Sequence, residues 1–214
     1  MNTVNKPVES VKNCVYITLF HRLTVFKNEE KLQKDGAVML LIARKMNEFS
    51  FSKLMGVYLD ANREHGKAIA PEENEDRQLR LSEEDFYAYL HDSFFPHPGS
   101  VYCIWEEGGS YRSALRLEPY LDGMLLEALE TAPEQRRKGC AVALVRAVLD
   151  WLEQQGSVRI YSHVDKKNVP SRKTHLRCGF RIHQDYAAFI DGSVSRRADT
   201  WIYEKIFPDF ENND

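Results

Sequence analysis

Residues 125–156 read LLEALETAPEQRRKGCAVALVRAVLDWLEQQG, a strand, a short basic turn holding one glycine, and a long helix ending near another. The run 124–131 is apolar apart from Glu127 and Glu130, and Asp122-Gly123 before it is a hairpin turn signal. Pro133 has no N–H to donate and stops the ladder. From Ala141 the apolar residues Leu144, Val145, Val148, Leu149 and Leu152 recur at helical spacing. Gly156 supplies the left-handed residue that commonly follows a helix C-terminus. Between strand and helix lie Arg136, Arg137, Lys138, Gly139, Cys140 and Ala141. A helix N-terminus presents unpaired N–H groups and partial positive charge, and both suit a phosphate. Gly139 lets an anion approach where a Cβ would obstruct it. Taken alone, this turn reads equally as a solvated basic lead-in to an amphipathic helix.

A second segment, at a fitting distance, bears on that choice. Arg136-x-x-Gly139-x-Ala141 resembles the (Q/R)-x-x-G-x-(G/A) motif of the GNAT acetyltransferase superfamily, which cradles the pyrophosphate of acetyl-CoA. Residues 168–180, NVPSRKTHLRCGF, resemble that family's N-x-x-A-x-x-L-Y-x-K-x-G-F segment at Asn168, Ser171, Arg177, Gly179 and Phe180. Thr174 and His175 depart from its leucine and tyrosine. The strand expected between the two motifs is 158–164, VRIYSHV. The resemblance covers residues 38–208. It implies an α/β (mixed α+β) single domain, with a mostly antiparallel sheet flanked by helices. The activity implied is an N-acetyltransferase that uses acetyl-CoA as acyl-donor co-substrate, without a metal.

The flanking elements fit that order. Val38–Ala43 reads as a buried first strand. An amphipathic helix follows over 51–63, ended by Gly66, and then a polar loop over 66–78 carries Glu72, Glu73, Glu75 and Asp76. Ser82 and Asp85 resemble a capping box for the next helix, which Pro96 and Pro98 close. Residues 101–105 and 111–117 form a hairpin around Gly108-Gly109. Strands over 180–190 and 200–207 finish the domain. Residues 1–37 are read as an N-terminal extension holding a strand-like run over 15–26 and a charged linker over 29–35. Residues 209–214 form a tail.

Composition limits the function classes. The chain has 214 residues, 43% of them hydrophobic and 29% charged, with 29 basic and 32 acidic side chains giving a net charge of −3. These values are ordinary for a globular domain, and nothing global points to nucleic acid. No run approaches the ~18 apolar residues of a membrane span. The N-terminus lacks the order of a signal peptide. Cys14, Cys103, Cys140 and Cys178 are scattered, without the spacing of a zinc site or disulfide framework, and a cytoplasmic location is the expectation.

Acetyl transfer to an amine needs a held thioester, a deprotonated nucleophile, donors for the oxyanion and a proton for the leaving thiolate. By resemblance, the main chain of Leu129, Glu130 and Thr131 runs along the pantetheine, while Arg136 to Ala141 hold the pyrophosphate. Glu127 is the candidate base. Strand alternation puts it on one face with Leu125 and Leu129, where burial raises its pKa. An ion pair with Arg112 or Arg116 is the alternative reading. His175 stands where the resembled motif carries the tyrosine proposed to protonate the thiolate, and a histidine can do this. Otherwise it is a helix-surface side chain. Asn168 caps the short helix or bonds the pantetheine, and Ser171 is small where the cofactor passes. Cys140 lies near cations at a helix N-terminus, where thiol pKa values fall, but direct transfer fits the resembled family better than an acyl-cysteine.

The expected acceptor is a primary amine of a small molecule or peptide, for which the acidic loop offers attraction. An exposed final strand leaves a homodimer open. The contrasting expectation is a non-catalytic acyl-CoA-binding sensor or interaction module.

Overall fold

The computed structural model describes residues 38–156 and 158–206. The extension, its strand-like run and the tail lie outside the described residues. The elements are β1 (Val38–Ala43), α1 (Phe51–Val57), α2 (Leu59–Ile69), α3 (Glu75–Tyr89, continued by a π-helical turn, Leu90–Phe94), β2 (Val101–Glu107), β3 (Ser110–Tyr120), β4 (Gly123–Thr131), α4 (Cys140–Glu153), β5 (Val158–Asp165), α5 (Val169–Arg177), β6 (Arg181–Gln184), β7 (Ala187–Ala188), β8 (Val194–Ser195) and β9 (Ala198–Lys205). The sheet runs β1-β2-β3-β4-β5-β9-β6, antiparallel except where β4 and β5 pair, and β7 and β8 make a separate small hairpin.

The helical N-terminal half departs from the sequence reading. Gly66 does not end a helix but lies inside α2, where a Cβ would collide with the Gln78 main-chain carbonyl. Its missing side chain lets α2 and α3 pack closely. Gln78 then bonds back to the carbonyls of Ala70 (3.0 Å) and Glu73 (2.9 Å), which draws the expected loop into a tight turn. Glu75 and Asp76 belong to the first turn of α3, where their charge suits the helix N-terminus. The cap is Asn74, which accepts from the Arg77 N–H at 3.0 Å. Ser82 is buried mid-helix instead, donating to Asn62 at 3.3 Å.

The strands divide their side chains by alternation between two cores. Val101, Cys103, Leu115, Leu117, Leu126 and Ile160 pack against Leu144, Val145, Val148 and Leu149 of α4. Tyr102, Ile104 and Ala114 pack on the opposite side with Leu54, Met55, Tyr58, Leu90 and Phe94. β1 is an edge strand with Val38 and Met39 each 51% exposed, not the buried strand expected. The final strand is not exposed either, because β9 lies between β5 and β6. The run 180–190 is broken into β6 and β7.

Two irregularities in β4 create the site. Arg116 pairs with Glu127 and Ala114 with Glu130, so Ala128 and Leu129 together face Leu115 alone. This is a β-bulge, and Ala128 takes a left-handed φ of +48° within it. The extra residue reverses the alternation. Leu125 joins Tyr161 and Ile202, whereas Leu129 joins the α4 core with Leu126. Leu129 therefore does not share the face of Leu125, as strict alternation would require. The parallel pairing of β4 with β5 also ends at Leu126 and Ser162, although β4 continues to Thr131 and β5 to Asp165.

Candidate active site

From Glu127 to Thr131, β4 is paired on its β3 side only. Unpaired strand groups of this kind accept an extended ligand as an added strand. The gap leads toward the turn before α4. There Arg137 has a φ of +63° and Gly139 a φ of +87°, a conformation that favours glycine at the second position. A Cβ on Gly139 would meet no atom within 4 Å. Gly139 is also the N-cap of α4 and makes no side-chain cap bond, so the first-turn N–H groups of Cys140, Ala141 and Val142 remain for an anion. The open turn, the helix terminus and the unpaired edge together fit a phosphate-bearing ligand with an extended arm.

The cations of the turn do different things. Arg136 donates to Thr131 O at 3.3 Å and to Asp60 of α2 at 2.7 Å, tying the turn to the helical half. Lys138 reaches Gln135 at 3.3 Å. Burial pushes the Cys140 thiol up, against the lowering expected at a helix N-terminus, and Glu107 adds to the rise. Asn168 caps α5 by accepting from the Ser171 N–H at 3.1 Å. Burial also raises the Glu130 carboxyl, with Arg136 opposing.

His175 is not a helix-surface residue. It is 2% exposed, packed edge-on to Phe180 and near Trp201. Its Nδ1 lies 2.8 Å from the Ser171 carbonyl, which can only accept, so this nitrogen carries the proton. Nε2 lies 3.0 Å from Ser162 Oγ. That hydroxyl is in turn 3.1 Å from the Leu126 carbonyl, at the point where β4 and β5 part. One hydroxyl proton cannot serve both neighbours. In the neutral ring it goes to Nε2, and only a cationic His175 releases it toward Leu126. Burial holds the imidazole pKa below its ordinary value.

On the face opposite α4, Glu127 meets Arg116 at 3.5 Å. The alternative partner, Arg112, pairs with Glu107 at 3.4 Å instead. Burial pushes the Glu127 pKa up to about 7, and a carboxyl–carboxylate hydrogen bond to Glu118 adds to the rise, with Arg116 and His163 opposing. The Arg116 guanidinium also lies 4.7 Å over the Tyr89 ring. Glu118, Tyr89 and Tyr58 were missed from sequence. The two-residue turn at Leu121-Asp122 pairs Tyr120 with Gly123. Counting back from it places Arg116 opposite Glu127 and Glu118 one diagonal away, whereas the Asp122-Gly123 signal lies one residue later and counts to Glu118 itself opposite Glu127. Nothing local pointed to Tyr58. Its hydroxyl donates to the Ala128 carbonyl at 2.6 Å from 70 residues away.

Residues 66–180, more than half of the chain, match the acetyltransferase (GNAT) family model. The chain belongs to that family. A stretch of 55 residues is 38% identical to aminoglycoside N(6')-acetyltransferase type 1 of Serratia marcescens, covering 26% of this chain and 38% of that relative's length. Among solved structures, the fold is similar to ribosomal-protein-S18-alanine N-acetyltransferase from Escherichia coli. The TM-score is 0.52 at 15% identity, over 81% of this chain and 98% of that one. It is also similar to the PaiA N-acetyltransferase from Thermoplasma acidophilum in complex with coenzyme A, with a TM-score of 0.52 at 12% identity, over 78% and 99%. At these identities the likeness is one of fold. Among the described residues, no helix is long and apolar enough to cross a membrane.

Proposed function

We propose that the protein is an acetyl-CoA-dependent N-acetyltransferase that passes the acetyl group directly to a primary amine of a small molecule or peptide. The observation that carries this reading is the parting of β4 from β5 beyond Leu126, beside a carboxyl poised near neutrality. The unpaired edge from Leu129 to Thr131 holds the pantetheine arm, and the turn from Arg136 to Ala141, with the α4 N-terminus, holds the pyrophosphate. Main-chain N–H groups along β4 donate to the acetyl oxygen as charge develops there.

An ordinary alkylammonium has a pKa of about 10.4, so the acceptor must lose a proton before it attacks. Glu127 takes it, the nitrogen–carbon bond forms, the carbon–sulfur bond breaks, and the second proton of the attacking nitrogen goes to the leaving thiolate. His175 serves the leaving sulfur through Ser162 and not by contact. Burial favours the neutral ring, so Nε2 accepts the Ser162 proton and fixes that hydroxyl where β4 and β5 part, beside the departing sulfur. Asn168 sets the start of α5, and so the position of His175, through its cap. The acidic pair Glu118 and Glu127 draws a cationic acceptor, and the aminoglycoside activity of the Serratia marcescens relative makes polyamino compounds the first class to try.

The test is thiol release from acetyl-CoA on the full chain, with aminoglycosides, polyamines, amino acids and peptides as acceptors. Amine-dependent release is expected for at least one class. Binding of acetyl-CoA without release on any acceptor replaces this reading with the sensor reading, and a chain that does not bind acetyl-CoA overturns both.

A further inference from the structure

Ala128 is an L-residue with a side chain held at φ +48°, a conformation that persists only where its surroundings over-determine it. The bulge takes Ala128 out of register with β3, since it and Leu129 face one residue. Its carbonyl accepts from Tyr58. Tyr58 joins α1 to α2 and is 5% exposed, its ring against Phe86 (5.2 Å between centroids) and Tyr102 (6.4 Å). Burial raises the phenol's pKa well beyond its usual value, so the hydroxyl stays a neutral donor. A rigid, buried donor thus reaches from the helical half to the one strained residue of β4. The Ala128 side chain packs in the same cluster as that ring. The bulge in turn sends Leu129 to the α4 face and precedes the unpaired edge.

We propose that Tyr58 is a positioning residue for the acetyl-CoA site, its hydroxyl holding the Ala128 bulge so that the main chain from Leu129 to Thr131 faces the donor. This rests on the acetyl-CoA reading above. Tyr58 touches neither the reacting atoms nor the phosphate turn; it acts through the shape of β4. Its specific signature is coupling to Ala128. Glycine adopts a positive φ without the Cβ penalty, so Ala128→Gly should relieve the need for the Tyr58 bond.

The experiment is calorimetric titration of acetyl-CoA into the full-length wild type, Tyr58→Phe, Ala128→Gly and the double variant, with thermal melts in parallel. Tyr58→Phe should weaken binding about tenfold, the scale of one lost buried hydrogen bond. Ala128→Gly alone sets the reference, and the double variant should bind within about threefold of it. Loss of binding should not track the melting temperature. Wild-type binding with an unaffected Tyr58→Phe, or with no recovery in the double variant, overturns this inference and leaves the acetyl-CoA reading standing. If the wild type does not bind, both fall. If Tyr58→Phe fails to fold both alone and with Ala128→Gly, the residue is structural and the proposal is overturned.

Discussion

The two sides of β4 are built from different materials. Toward α4 the site is main chain: an unpaired strand edge, a left-handed glycine and a helix N-terminus. On the other face it is side chain, with Glu127, Glu118 and Arg116 from two strands and Tyr89 from α3. Main-chain sites depend on where the backbone turns and stops, so they tolerate most side-chain exchanges and are sensitive at glycine. Side-chain sites depend on charge and burial, so single isosteric changes alter their chemistry. The first kind suits a ligand that does not vary, and the second suits one that does.

The sharpest way to break that contrast is Glu127→Gln. Turnover should fall by ~10²–10⁴-fold, the range for a lost general base, while acetyl-CoA affinity stays within about twofold. Equal losses in both would merge the two sides into one. In the wild type, the rate should rise with pH through a midpoint near 7, since the raised Glu127 pKa must be exceeded before the carboxylate can accept a proton. The sign for stability is opposite. The folded protein holds this proton more tightly than the unfolded chain, so stability falls as pH climbs from the ordinary carboxylate range toward 7.

Gly139→Val tests the other side. A branched residue at φ +87° strains the turn by ~1–3 kcal/mol, which should raise the Kd for acetyl-CoA by roughly 10–100-fold. Turnover at saturating donor should change little. A fall in saturated turnover as large as the loss of affinity would show that the turn also governs the chemistry. The smallest effect is expected from Glu118→Gln. Removing this neighbour takes away a hydrogen bond and a like charge that both raise Glu127, so the midpoint of the pH–rate profile should move to lower pH. A midpoint that stays put would place the cause of the shift in burial alone.

The same division accounts for what could be read from sequence. Pro133, Gly139 and the periodic residues of α4 encode backbone events locally, and the sheet order around them follows. The face of Leu129 was misplaced because alternation assumes a regular strand, and the bulge is held in part by Tyr58, 70 residues away. Gly66 was misread because a glycine in a helical pattern signals an end as readily as a close approach, and only the backbone of α3 decides which. Ser82 and Asp85 have capping-box chemistry but fall inside a helix already capped by Asn74. The burial of His175 was illegible for a related reason, since its cover, Phe180 and Trp201, belongs partly to β9.

β9 carries a consequence for how the chain is made. Among the described strands it leaves the ribosome last, yet it occupies an inner place in the sheet, pairing with β5 along its whole length and then with β6. Until residues 198–205 emerge, β5 lacks its antiparallel neighbour, and β6 has no strand beside it among the described residues. A nascent chain stalled before Ala198 therefore displays two raw strand edges, the kind that recruit chaperones or one another. Completion of the sheet, and with it the burial of Trp201 beside His175, waits on the release of residues 198–205 from the ribosome.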